Sequence, residues 1–166
     1  MLMDRPQRRP IRLRGYDYSR TGRYFVTLVT NGREEIFGVV IDGVMRLSAE
    51  GACVADVWTT LPRLYAHVSL DAFVVMPNHV HGVMILGSGP VSDVKRAPLS
   101  EVIRGFKTLS ARRVNAIRDV SGAPVWQRNY YERIIRNDRE LQHVRRYIAD
   151  NPMQWADDTE NPRRPR

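Results

Sequence analysis

Phe73-Val74-Val75-Met76-Pro77-Asn78-His79-Val80-His81-Gly82-Val83-Met84-Ile85-Leu86 is the stretch on which the reading of this chain turns. It is an apolar, β-branched run broken once, at Met76-Pro77-Asn78, and it carries two histidines one residue apart. Apolar runs on either side of a Pro-Asn turn signal predict two buried strands joined by a tight connection. Alternate residues of a strand share a face, so His79 and His81 project side by side and Val80 points the other way. Two imidazoles in an apolar strand need partners. At this spacing one divalent ion satisfies both, and backbone-bonded core histidines are the other solution.

Working outward, Tyr24 to Thr30 is a strand of aromatic and β-branched residues ended by Asn31-Gly32. Ile36–Ile41 and Val44–Leu47 flank Asp42-Gly43, a type I′ hairpin signal. Ser48 caps a predicted helix to about Tyr65, with Leu61-Pro62 marking a kink or break. His67 to Val75 and Val80 to Leu86 are the strands of the central stretch, and residues 87–98, with Gly, Ser and Pro, form a loop. Leu99 to about Arg118 reads as a helix, with Val102, Ile103, Phe106 and Leu109 as its apolar stripe. Tyr130 to Arg136 is a short strand. Asn137, with Glu140 three residues on, caps a last helix that turns Leu141, Val144 and Ile148 inward and stops near Pro152.

Strands joined by tight turns or single helices predict an α+β fold: a mainly antiparallel sheet with helices packed on it, with ferredoxin-like β-α-β-β-α-β connectivity. Residues 1–22 read as a basic arm, 23–156 as the domain, and 157–166 as a polar Arg/Pro-rich tail without order. The length of 166 residues suits one core. It is too short for a barrel metallohydrolase, which needs roughly 250 residues.

A net charge of +8 favours a polyanionic partner, nucleic acid before a membrane surface. Arg104, Lys107 and Arg112 on the long helix, with Arg12 and Arg14 in the arm, are the candidate phosphate contacts. Cys53 is the sole cysteine, which excludes an internal disulfide and a Cys-rich zinc site. There is no apolar run of membrane-spanning length and no apolar segment of a secretory signal, so the expected location is cytoplasmic.

The second candidate reagent lies on the last helix. Tyr147 and Asn151, four residues apart, share a face beside the Leu141-Val144-Ile148 stripe. If that helix packs beside the histidine strand, Asn151 joins the imidazoles as an oxygen ligand and leaves positions open on the ion. Tyr147 then points at whatever the ion polarises. Tyr130 and Tyr131 are rival nucleophiles, but neither has an Asn or Gln four residues later.

The residues resemble a known family. His79-Val80-His81 after Val74-Val75-Met76-Pro77-Asn78 looks like the HUH motif (His, hydrophobic, His) of the IS200-like transposases. Trp126-Gln127-Arg128-Asn129-Tyr130-Tyr131-Glu132, Ile135-Arg136-Asn137 and Tyr147-Ile148-x-x-Asn151-Pro152 look like the branch called REP-associated tyrosine transposases. The early Tyr16-Asp17-Tyr18-Ser19 and Gly22-x-Tyr24-Phe25-Val26-Thr27 segments fit that branch too, so the resemblance spans roughly residues 10–156. It implies an HUH endonuclease fold, Mg²⁺ or Mn²⁺, and single-stranded DNA with REP-like hairpin elements as substrate. It also implies Tyr147 as nucleophile, His79 and His81 as metal ligands, and Asn151 as the third. Relatives often carry His where this chain has Arg133. Three functions stay open: a strand transferase, a non-cleaving hairpin-binding module, and a hydrolase using bound water. Monomer and homodimer are both open as well.

Overall fold

A computed structural model describes residues 21–87 and 96–164. Arg12, Arg14 and most of the 87–98 loop fall outside that range. The elements run β1 (Gly22–Val29), β2 (Gly38–Ile41), β3 (Val44–Leu47), α1 (Ala49–Leu64), β4 (Val68–Val75), β5 (His79–Leu86), α2 (Leu99–Ile117), β6 (Tyr131–Ile135) and α3 (Asp138–Asp150).

Four strands form an antiparallel sheet in the order β4-β5-β1-β6. With α1 and α2 as crossovers this is the ferredoxin-like arrangement expected from the element order. Strand alternation divides the side chains between two faces. Tyr24, Val26, Leu28, Val80, Met84 and Leu86 pack with Val54, Trp58, Leu61, Val102, Ile103 and Phe106 of α1 and α2. Phe25, Val83 and Ile135 point the other way, onto Leu141, Val144 and Ile148 of α3. The sheet therefore has helices on both faces, and the odd-numbered β5 residues, His79 and His81 among them, lie on the α3 side.

A bulge in β4 between Leu70 and Phe73 lets both of these residues pack on the α1/α2 core. Gly82 is fixed by packing: a Cβ there would stand 2.2 Å from Cζ2 of Trp58. The Trp58 ring stacks on Phe73 at 5.9 Å and meets Phe106 edge-on at 5.4 Å.

The ends of α3 are specified locally. The Asn137 side chain accepts the Glu140 N–H at 2.8 Å. Glu140 answers through its carboxylate to the N–H of Arg136, one residue before the cap. Two contacts then fix the helix on the sheet. Arg145 donates to both carboxylate oxygens of Asp71 at 2.8 and 2.6 Å, and Arg23 donates to Asp138 at 2.7 Å. The Arg145 guanidinium holds the Asp71 carboxyl below its usual range.

Four sequence expectations change. The helix α1 runs through Pro62 to Leu64 rather than breaking, because Pro62 lies in the last turn and the Tyr65 N–H still reaches the Leu61 carbonyl at 2.9 Å. The hairpin β2–β3 forms at the expected type I′ turn, with Asp42 at φ 51° and Gly43 at φ 72°, but as a two-stranded sheet of its own rather than as part of a single sheet. Its outer face leaves Val39, Ile41 and Val44 about half exposed. The tail is not an irregular appendage over residues 157–164. It folds back as a strap held by Asn78, Arg33 and Glu35, and Asn161 is buried within it.

The fourth change concerns Lys107. Its ammonium is not free for phosphate but donates to the carbonyls of Gln127, Arg128 and Asn129 at 2.8, 3.3 and 3.2 Å. Burial pulls its pKa down to about 8. Among the described residues, no helix is long and apolar enough to cross a membrane.

Candidate metal and tyrosine site

The antiparallel pairing of β1 with β5 places Thr27 opposite His81 and Val29 opposite His79. Cross-strand neighbours on one face interact directly. The Thr27 hydroxyl lies 2.8 Å from Nδ1 of His81. The two imidazoles stand 4.4 Å apart, centroid to centroid. Phe25, two residues before Thr27, lies along His81 at 5.4 Å and meets the Tyr147 ring edge-on at 6.0 Å. It forms an apolar floor between strand and helix.

The tautomer of His79 follows from its neighbour. Nδ1 of His79 is 2.9 Å from the amide oxygen of Asn78. The amide's orientation is settled because its nitrogen donates to the carbonyls of Arg33 at 3.1 Å and Glu160 at 2.7 Å. An amide oxygen only accepts, so Nδ1 of His79 carries the proton and Nε2 presents a lone pair. Nε2 is buried and has no hydrogen-bond partner, and the same is true of Oδ1 of Asn151. Both residues are almost fully buried. Buried acceptors left without donors are costly, by roughly 1–3 kcal/mol each. A histidine lone pair and an amide oxygen are both donors a divalent cation accepts, so the residues present fit one.

Tyr147 rises from α3 with its hydroxyl 3.4 Å from Nε2 of His81, and 40% of the residue is exposed. Asn151, at the C-terminal end of the helix, brings its amide within reach of both His79 and Tyr147. The structure thus brings His79, His81, Tyr147 and Asn151 to one place on the α3 face of the sheet.

Two further contributors are not among the candidate site residues of the sequence. Asp158, on the strap, puts Oδ2 3.8 Å from Nε2 of His79, and its side chain is 6% exposed. His79, His81 and Asp158 each offer an atom within 4.8 Å of the others. Asn78 enters the sequence analysis as a turn residue and as part of the stretch before the histidines, not as their hydrogen-bond partner. The usable signal for Asp158 was the acidic Asp157-Asp158-Thr159-Glu160 run, set in a basic chain just after Asn151-Pro152.

The electrostatics keep both histidines neutral. Burial pulls His79 down to about 4, against the opposing charge of Asp158. Burial, and then His79 itself, push His81 well below its ordinary value. Neutral imidazole is the ligating form. Burial raises the Tyr147 hydroxyl pKa, and the negative charge of Asp158 raises it further, while the Asn151 amide acts in the opposite direction.

The remaining candidates lie elsewhere. Arg104 and Arg112 line a shallow groove of about 430 Å³ with Tyr65 and Glu101, on the outer side of α2. The helix α2 packs on the sheet face opposite the histidines, so these arginines are remote from them. Tyr131 pairs with Thr27 and is on the histidine face, 41% exposed, whereas Tyr130 lies by the Lys107 ammonium at 5.4 Å. Arg133 pairs with Phe25 on the histidine face and sits 3.9 Å from Glu140. His143 is exposed on α3.

Comparison with known proteins fits this arrangement. A solved structure of a REP-associated tyrosine transposase bound to a REP hairpin superposes with a TM-score of 0.57 over 80% of this chain and 67% of that one, at 21% identity. That likeness defines the fold class. The chain belongs to the IS200-like transposase family, whose model, described as "Transposase IS200 like", matches residues 64–151. It is also 35% identical to an uncharacterized protein of Haemophilus influenzae (strain ATCC 51907 / DSM 11121 / KW20 / Rd), over 91% of each chain.

Proposed function

We propose that this transposase-family chain is a metal-dependent strand transferase of the REP-associated tyrosine branch. It would cut single-stranded DNA carrying hairpin elements. The observation that carries the reading is the convergence of the unpartnered Nε2 of His79 and Oδ1 of Asn151 with the Tyr147 hydroxyl, 3.4 Å from His81. The solved structure of similar fold, bound to a REP hairpin, supports hairpin DNA as the substrate class.

In this reading His79, His81 and Asn151 would hold Mg²⁺ or Mn²⁺, which when bound would supply positive charge to the scissile phosphate and to the tyrosine oxygen. The tyrosine oxygen attacks phosphorus and loses its proton. The bond from phosphorus to the 3′-oxygen breaks, and that oxygen leaves as a 3′-hydroxyl after taking up a proton. The product is a 5′-phosphotyrosyl link on Tyr147, which retains the bond energy for rejoining. Phe25 and the α3 clamp through Arg145 and Asp71 keep the tyrosine ring in place, and Thr27 orients His81. The sheet and helices form the working domain, with the basic arm as a DNA contact through Arg12 and Arg14. Arg104 and Arg112 serve as backbone contacts away from the cleavage point. A soluble cytoplasmic monomer or homodimer is the expected form.

The test is a denaturing gel with labelled single-stranded hairpin DNA from sequence flanking the gene, with Mn²⁺ or EDTA, comparing wild type with Tyr147→Phe. A denaturant-resistant, metal-dependent band absent from the mutant is expected. A band that survives in Tyr147→Phe removes Tyr147 as nucleophile. DNA turnover without any covalent band points to a bound-water hydrolase, and a native mobility shift alone points to a binding module.

A further inference from the structure

We propose that Asp158 is a ligand of the same ion as His79 and His81, which makes the C-terminal strap part of the metal centre. This rests on the metal-dependent reading above and extends it to a residue outside the tyrosine helix and outside the 64–151 segment shared with the family model.

Asp158 is a buried acidic group without a permanent countercharge among the described residues. The Asp158 side chain is 6% exposed. A carboxylate that deep is satisfied by a cation or by several donors. Among the described residues its only ion-pair neighbour is His79, and burial keeps His79 neutral. The strap's two arginine contacts are spent elsewhere, Arg33 on Glu160 at 3.2 Å and Arg163 on Glu35 at 2.6 Å.

The two oxygens of the carboxylate are also differently employed. Oδ1 accepts the Glu160 N–H at 2.7 Å and closes a turn of the strap. Oδ2 faces Nε2 of His79 at 3.8 Å, too long for a hydrogen bond and in range for two donors to one ion. Each of the three residues offers an atom within 4.8 Å of the others, and the side chain that carries the orphaned Asn151 oxygen acts on His79. A cation is the one species that satisfies an anionic oxygen, a histidine lone pair and an amide oxygen at once.

The strap is aimed at this spot by the residue that aims the histidine. Asn78 accepts from Nδ1 of His79 and donates to the Glu160 carbonyl, two residues past Asp158. One side chain therefore sets both ligands in register. The consequence is linkage: an ion that binds Asp158 holds the strap down, and a docked strap tightens the ion.

The experiment is Mn²⁺ titration of the full chain, read by the electron paramagnetic resonance signal of free Mn²⁺. Hydrogen exchange of residues 155–161 is followed alongside. Asp158→Asn is the informative variant because its oxygen can still accept the Glu160 N–H while the charge is removed. We expect Asp158→Asn to weaken Mn²⁺ binding by about tenfold or more. Asp158→Glu should recover part of that loss. Mn²⁺ should slow exchange in the strap of wild type and not in that of Asp158→Asn. Unchanged affinity in Asp158→Asn, with binding lost in His79→Ala, overturns the role of Asp158 and leaves the metal reading standing. Binding lost in Asp158→Asn but kept in His79→Ala places the ion elsewhere and overturns the inference too. Absence of Mn²⁺ binding by wild type overturns both readings together.

Discussion

A single amide, that of Asn78, decides which nitrogen of His79 is free. Because its oxygen accepts from Nδ1, the lone pair is on Nε2, beside Asp158 and within reach of Asn151. Substituting Asn78→Ala leaves the ring free to change tautomer and unties the strap. Mn²⁺ affinity should then fall about 10- to 100-fold, measured by the same titration. The neutral, buried imidazole also gives the metal-free protein a pH signature. His79 titrates near 4 in the fold against an ordinary value of 6.5, so between those values the unfolded chain binds more protons. Stability is present in full above the upper value and is lost as pH falls toward the lower one. Urea midpoints measured in EDTA should drop on going from about pH 7 to about pH 4. Gly82 makes a different demand, since its missing Cβ is where the Trp58 ring lies. Gly82→Ala should cost about 1–3 kcal/mol by overpacking, read from urea unfolding. At this scale the sequence exposed what is periodic. His79 and His81 follow from strand alternation, and Tyr147 and Asn151 from the helical repeat. The partner of His81, Thr27, depends on the register between distant strands, and no local pattern encodes that.

Among the elements, α3 shows how local and non-local signals combine. Its cap at Asn137 and its apolar stripe are written in adjacent residues, which is why its span was legible. Its position over β4 depends on Arg145 reaching Asp71, 74 positions away in the chain. The α2 helix teaches the opposite lesson. A basic residue on a helix reads as a solvent-facing charge, yet Lys107 is folded inward as a clamp on the loop before β6. Lys107→Met would leave three carbonyls without their shared donor. A loss of about 1–3 kcal/mol is expected, with faster hydrogen exchange around residues 127–131. The strap departs from its sequence expectation for a related reason. Its polar composition describes a disordered tail equally well, and only the partners waiting at Asn78, Arg33 and Glu35 give it a fixed path.

Across the whole molecule, the sheet separates two surfaces. The α3 side carries the histidines, the tyrosine and the strap, and the α1/α2 side carries Arg104 and Arg112. Replacing both arginines by Ala should lower hairpin affinity and flatten its salt dependence by about two counterions. The yield of covalent adduct at saturating DNA should stay unchanged. An unaltered salt slope would show that the DNA avoids this face.

The strand order β4-β5-β1-β6 also sets a timetable. β4 and β5 are joined by a short turn and meet early, whereas β1 must bind β6 across more than a hundred residues, as in the pairing of Arg23 with Ile135. Contacts of such separation form late because the intervening chain must first be closed into a loop. Pulse-labelled exchange during refolding should therefore protect the hairpin bearing the two histidines before β1 and β6 are protected together. For an interval the imidazoles are already side by side while Thr27 has yet to reach them, and a refolding chain in that state is open to capture by stray transition metals.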